Sequence, residues 1–385
     1  MELLSNTSVH HAVPDEYVMP PEKRPENEEL VDPCTVTLPV IDLATARHLV
    51  VDEIMEAGKE FGFFQARTSI NHYYHQLPIP CFFLVGLNAS IDCCKQLSCA
   101  QVVNHGVGED VVTGFRSAAA EFFAMPAEEK LPYHSGDLSK PFRVDTSTAY
   151  VDDVDHRSSR YWRDYLQLQC FPTDRFEADW PGKPDAFRGS LTAYAAAVQQ
   201  LAATVVGLVS EGLGLDESFF RGELSGGGTV MNVNWYPPCP DPSLTMGLLP
   251  HCDRPFLTVL SQGDVSGLQA KHRGRWITVH PVPNAFVINL GHMMEIVTNG
   301  LLHSVEHRAV TNSSAARLSV VSVIMPEMDS RIEPAAELVS EEEPPKFRPF
   351  LFREFNQAYA DVAANREDVL HRFRIHPNPR HGPVE

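Results

Sequence analysis

One stretch of the chain carries apolar residues at helical spacing more clearly than any other. Between Arg188 and Leu213, the residues Leu191, Tyr194, Val198, Leu201, Val205 and Leu208 recur every three or four positions. That period puts them on one face and predicts a helix buttressing a larger structure. Gly212 and Gly214 mark its end. A second helix is expected over Thr45–Phe61, with Leu49, Val50, Ile54 and Met55 near one face and Gly62 as punctuation. A third is expected over Val107–Ala124, before Met125-Pro126. Val36–Leu43, the run opening at Phe63-Phe64-Gln65, and Tyr161–Leu166 have strand character. From Thr229 onward the pattern changes to short β-branched runs, such as Phe256–Leu260 and Arg317–Met325, separated by proline and glycine turns. Several such strands without a long helix between them imply an antiparallel sandwich or barrel. A last helix is expected over Phe350–Val362.

Composition narrows this only slightly. The 385 residues, 43% hydrophobic, suffice for one large domain or two small ones. A net charge of −19 argues against nucleic acid and anionic membrane as partners, because both need a basic surface. Met1–Pro20 contains Glu2, Asp15 and Glu16 and no long apolar run, which does not read as a secretory signal. No stretch approaches the roughly 20 apolar residues that span a bilayer. Eight cysteines without regular spacing do not form a disulfide framework, so a cytoplasmic location is the expectation. Residues 1–38 are proline-rich and read as an extended arm.

The chemistry concentrates in the second half. His251, Asp253 and His307 form a two-histidine, one-carboxylate set, which suits Fe(II) and leaves metal positions open for oxygen and an organic ligand. His251 and Asp253 alternate, so both point one way. Arg317 and Ser319 alternate along a later run; a guanidinium fork with a hydroxyl is a natural clamp for a small carboxylate. Asn234 and Tyr236 share one face of the strand before Pro237. Arg308 points to the opposite face from its neighbour His307, where an ion pair is expected, and His105, His292 and His303 read as structural.

At these residues the chain resembles the plant 2-oxoglutarate and Fe(II)-dependent dioxygenases. The matching pieces include Asn234-Trp235-Tyr236-Pro237-Pro238, His251-x-Asp253, Gly267-Leu268-Gln269, Asn289-Leu290-Gly291, Thr298-Asn299-Gly300, Ser304-Val305-Glu306-His307-Arg308, Arg317-x-Ser319 and, earlier, Val103-Asn104-His105-Gly106. Leu224-Ser225-Gly226-Gly227-Gly228 and Pro250-His251-Cys252-Asp253-Arg254 resemble the branch holding deoxymugineic-acid dioxygenase and hyoscyamine 6-hydroxylase.

The resemblance implies a mainly β fold with flanking helices, built on a double-stranded β-helix, or jelly roll. It implies an N-terminal region over 1–228, a catalytic core over 229–330 and a C-terminal helix and tail over 331–385. Fe(II) would sit on His251, Asp253 and His307, with no further catalytic side chain. 2-Oxoglutarate would be the cosubstrate, gripped by Arg317 and Ser319 with Tyr236 and Asn234 assisting, and ascorbate the reductant. Phe256 and Phe347 would be substrate wall or core. The implied reaction is hydroxylation or desaturation of a small plant specialised metabolite or hormone by a monomer, with O2 consumed and succinate and CO2 released.

One stretch departs from the family. Ala66–Gln101 separates two halves of what would be one strand and holds Cys81, Cys93, Cys94 and Cys99. It reads as a translated intron or gene-model error, since splitting a core strand conflicts with compact packing. An inactive protein is therefore one alternative, and an iron oxidase that does not use 2-oxoglutarate is another.

Overall fold

The computed structural model describes residues 3–7, 9–25, 30, 38–67, 105–137, 140–146, 150–151, 158–361 and 367–375. Its framework is an eight-stranded sheet facing a cavity shared with a four-stranded one. In spatial order the large sheet runs Val40–Ile41, Phe63–Arg67, Ala285–Leu290, Leu257–Ser261, Arg317–Ile324, Thr229–Tyr236, Asp164–Phe171 and Phe142–Thr146. The small sheet runs Arg275–Thr278, Leu268–His272, His307–Ala309 and Leu248–His251. Apart from the first pair, every pairing in both is antiparallel. The expected boundary at 228/229 falls between two neighbouring strands of one sheet, because Asp164–Phe171 pairs with Thr229–Tyr236.

The helices cover the outer face of the large sheet. The longest is Phe187–Gly212, and the six periodic residues expected to be buried are all buried. Against expectation, this helix is long and apolar enough by length and composition to cross a membrane. Here its apolar face packs on the helices Glu109–Ala124 and Arg47–Glu60 and on the sheet. Cys170 and Tyr194 lie within the same core.

Most expected elements shift by a residue or two at their ends, and three differ in ways that have a structural reason. The strand expected from Tyr161 begins at Asp164, because Trp162 turns away to pack with Leu4, Tyr17 and Cys239. Its indole Nε1 donates to the Pro237 carbonyl (2.9 Å). The strand opening at Phe63 continues through Ala66 and Arg67, which pair with Phe286 and Ala285. The first two residues of the departing stretch thus belong to the sheet, and the rest of it lies outside the described residues. Phe350–Leu351 is a short strand paired with Arg331–Ile332, and the last expected helix starts only at Phe352.

The N-terminal arm is tied down by a buried carboxylate. Asp164 accepts hydrogen bonds from the Leu4 amide (3.0 Å), the Ser5 amide (2.6 Å) and Thr146 Oγ1 (2.9 Å). Burial pushes its pKa above the usual carboxylate range, and those bonds pull the other way. Buried Lys130 reaches Ser5 Oγ (3.1 Å) and the Phe123 carbonyl (2.7 Å) from the other side. Asp164→Ala would remove the acceptor used by two amides and by Thr146 Oγ1, and a negative charge that acts on Lys130. The expected loss is about 3 kcal/mol of stability, read as a lower urea midpoint at unchanged slope.

Candidate active site

The small sheet brings the two histidines side by side. His251 ends the strand Leu248–His251 and lies opposite His307, the first residue of its partner strand. Their ring centroids are 4.2 Å apart. Asp253 follows in the loop beyond, with Oδ1 3.9 Å from His251 Nε2 and 3.8 Å from His307 Nε2. One ligand atom from each of the three lies within 4.8 Å of the others. Each histidine turns its other nitrogen to a backbone carbonyl two residues earlier: Nδ1 of His251 to Leu249 (2.8 Å), Nδ1 of His307 to Val305 (3.2 Å). Those carbonyls accept only, so a neutral ring keeps its proton on Nδ1 and presents the Nε2 lone pair on the Asp253 side. Asn289 Nδ2 donates to Asp253 Oδ2 (3.1 Å), which leaves Oδ1 for a metal. Two neutral imidazoles and one oriented carboxylate match the donor set expected for Fe(II).

The loop that holds Asp253 is braced from behind. The His292 amide donates to the Asp253 carbonyl (2.8 Å). A Cβ on Gly291 would stand 2.0 Å from the Pro255 carbonyl oxygen and 2.9 Å from that of Asp253. Gly291→Ala therefore has to push the loop away. Its expected effect is a metal affinity about 10- to 100-fold weaker, read by Mn(II) titration, with the far-ultraviolet spectrum unchanged.

A second cluster sits at the other end of the same cavity, which encloses about 320 Å³. Arg317 and Ser319 lie opposite Tyr236 and Asn234 in the register of two adjacent strands. Arg317 is 3% exposed, its guanidinium 5.1 Å from the Tyr236 ring centroid and its Nε donating to the Val265 carbonyl (3.2 Å). Among the described residues no carboxylate pairs with it. Burial lowers its pKa from the ordinary arginine value, and Tyr236 opposes that. Asn234 Nδ2 donates to Ser319 Oγ (3.4 Å), while its Oδ1 accepts from Arg163 Nη1 (3.2 Å). A buried cation without a counter-ion, beside a hydroxyl, is a site waiting for an anion.

Phe256 and Phe347 are not at this cavity. Phe256 lies in the turn before its strand, where alternation does not apply, and packs on Phe220 at 5.5 Å in the main core. Phe347 borders a separate cavity of about 650 Å³ with Phe219 and Val297. Both belong to the main core cluster, the other of the two roles expected for them. Arg308 donates from Nε to Gln269 (2.7 Å) and stacks on Trp276 at 4.1 Å. His105 Nδ1 accepts from the Val107 amide (3.1 Å) and Nε2 meets the Asn284 carbonyl (2.9 Å), a turn-stabilising role.

Other cavity residues had not been singled out by sequence: Arg143, Arg163, Tyr165, Gln167, Asn232 and Asn289. Alternation is the available signal for those inside strands, since Asn232 shares a face with Asn234 and Tyr236, and Tyr165 with Gln167.

Residues 227–326 match the family described as the 2OG-Fe(II) oxygenase superfamily. The chain is 37% identical to 2'-deoxymugineic-acid 2'-dioxygenase of Hordeum vulgare, over 93% of each chain. It belongs to the 2-oxoglutarate and Fe(II)-dependent oxygenases. Residues 89–184 of this dioxygenase also match the family described as non-haem dioxygenase in morphine synthesis N-terminal. That match begins inside the stretch 66–101, so the end of that stretch counts with the family. Hyoscyamine 6-dioxygenase of Hyoscyamus niger is 31% identical, over 94% of this chain and 96% of its own. Flavanone 3-dioxygenase 2 of rice is 34% identical, over 96% and 97%. The crystal structure of JOX2 in complex with 2OG, Fe and JA superposes with a TM-score of 0.77 at 28% identity, covering 97% of this chain and 96% of that one. Family members use Fe(II) and 2-oxoglutarate and act on small molecules with O2.

Proposed function

We propose that this dioxygenase hydroxylates or desaturates a small plant specialised metabolite or hormone, releasing succinate and CO2. The observation that carries the reading is Arg317, a buried guanidinium without a carboxylate partner among the described residues, in one cavity with the His251, Asp253 and His307 set. His251, Asp253 and His307 would hold Fe(II), which supplies the O2 chemistry that the side chains lack. Arg317 grips the far carboxylate of 2-oxoglutarate through its fork. Ser319 completes the clamp, with Asn234 fixing its hydroxyl and Tyr236 covering the guanidinium face. Asn289 keeps Asp253 turned toward the ligand site. Such an arrangement orients the diacid and keeps bulk water from the reacting centre.

The two sheets around this cavity support a double-stranded β-helix, and the reading extends to a monomeric cytoplasmic enzyme that takes ascorbate as reductant. The names of similar proteins divide between acids and a neutral flavanone, so they do not choose a substrate. The Arg317–Ser319 pair favours 2-oxoglutarate over an oxidase that works without it. The test is succinate release by the purified full chain with Fe(II), with and without 2-oxoglutarate. Product formation independent of 2-oxoglutarate would reject the reading.

A further inference from the structure

The charge around the cavity opposes that of the whole protein. The chain carries 50 Asp and Glu against 31 Lys and Arg. Yet Arg143, Arg163, Arg254, Arg308 and Arg317 border the cavity, and Asp253 is the single carboxylate there among the described residues. Counted over the lining residues alone, that is an excess of four positive charges, of which Asp145, behind the lining, offsets one in part. A divalent metal ion and a 2-oxoglutarate dianion cancel each other, so the excess persists when both are bound. A low-dielectric pocket with this lining attracts a further anion.

Arg163 is the group with capacity to bind it. It stands just before the strand Asp164–Phe171, two strands beyond Arg317–Ile324 in the large sheet. Its guanidinium lies 5.0 Å from the Tyr165 ring centroid and 5.7 Å from that of Tyr161. Nη1 donates to Asn234, and Nε is buried without a hydrogen-bond partner. Among the described residues it has no carboxylate within ion-pair distance. On the other side of Tyr165, Arg143 donates to Tyr165 Oη (2.8 Å) and, from Nε and Nη2, to Gln167 Oε1 (2.9 and 2.7 Å). Asp145, at 3.9 Å, balances Arg143 in part. Because Tyr165 Oη accepts from Arg143, its own proton is free to donate. Two guanidinium groups thus flank a phenol on one wall, and Arg163 touches the Arg317 clamp only through Asn234.

We infer that the substrate oxidised by this enzyme carries a carboxylate, and that Arg163, with Tyr165 and Arg143, binds it. This rests on the proposed dioxygenase function and adds the substrate's chemical class. A planar fork with an unused buried N–H suits a carboxylate, whereas a neutral group would leave the second cation uncompensated.

The experiment uses the full chain with Fe(II) and 2-oxoglutarate. Benzoate, cinnamate, indole-3-acetate and proline are each tested beside their methyl esters for stimulation of succinate release. Stimulation confined to the carboxylates is expected. Arg163→Gln should raise the KM of a responding carboxylate about tenfold or more, and by several times more than it raises the 2-oxoglutarate KM, because it reaches the clamp only through Asn234; Arg163→Lys should recover part of the loss. Equilibrium binding of each acid and ester to the wild-type protein under nitrogen reads the same preference without any variant. Esters that work as well as acids overturn the inference. So does an Arg163→Gln effect confined to 2-oxoglutarate, or a failure of every carboxylate to stimulate or bind while slow succinate release without added substrate persists. Absence of all succinate release from iron-loaded protein is a different result, and it rejects the dioxygenase function itself.

Discussion

Asp253→Ala is expected to lose Fe(II) and turnover together. Asp253 supplies the only anionic donor in the set, 3.8 to 3.9 Å from both imidazole Nε2 atoms. Two neutral imidazoles alone leave a divalent ion without charge compensation. The change also strands Asn289, whose amide donates to Asp253 Oδ2. Since disturbing a group that merely orients a ligand costs 10- to 100-fold in affinity, losing the ligand should cost more. Succinate release should fall by about 1000-fold or more at micromolar iron. Bound iron and succinate release, measured on one preparation, check this. The backbone should survive, because Asp253 lies in a loop and its carbonyl keeps the bond from the His292 amide. Near-normal succinate release by this variant would show that the metal sits elsewhere.

Arg317→Lys is expected to act on the diacid and spare the metal. The guanidinium lies over Tyr236, which also hydrogen-bonds it, and anchors itself through Nε to Val265, so the N–H groups left on its terminal nitrogens can take a carboxylate. An ammonium keeps the charge but cannot present two parallel N–H groups. Losing one charge-assisted hydrogen bond of about 1.5–3 kcal/mol raises the 2-oxoglutarate KM by about 10- to 100-fold. Iron affinity should stay within a factor of about two, because the ligand atoms belong to other strands and to the loop after Leu248–His251. Initial rates across a 2-oxoglutarate series, with iron content measured in parallel, separate the two effects. An unchanged KM would place the diacid away from Arg317.

The elements of this fold that could be read from the sequence are those set by local periodicity. The helix Phe187–Gly212 announces itself through its buried face. The pairs His251 and Asp253, and Arg317 and Ser319, were legible because alternate strand residues share a side. That Arg317 meets Tyr236 and Ser319 meets Asn234 is a matter of register, which depends on contacts some 80 residues apart in the chain. Arg163 and Arg143 do not stand out, for the same reason: their common cavity exists only once the sheet is assembled. Phe256 shows the limit of alternation: one residue before the strand begins, the rule no longer says where a side chain points. Trp162 shows another, because the pull of the arm cluster outweighs its strand propensity.

The knot at Asp164 couples two distant places. Leu4 and Ser5 hold a carboxylate 160 and 159 residues further on, between Arg163 and Tyr165. Clipping the first few residues, or fusing a bulky tag ahead of them, would therefore loosen a wall of the pocket rather than a dispensable end. Preparations that lack Leu4 and Ser5 should grip their small-molecule ligand more weakly than intact ones.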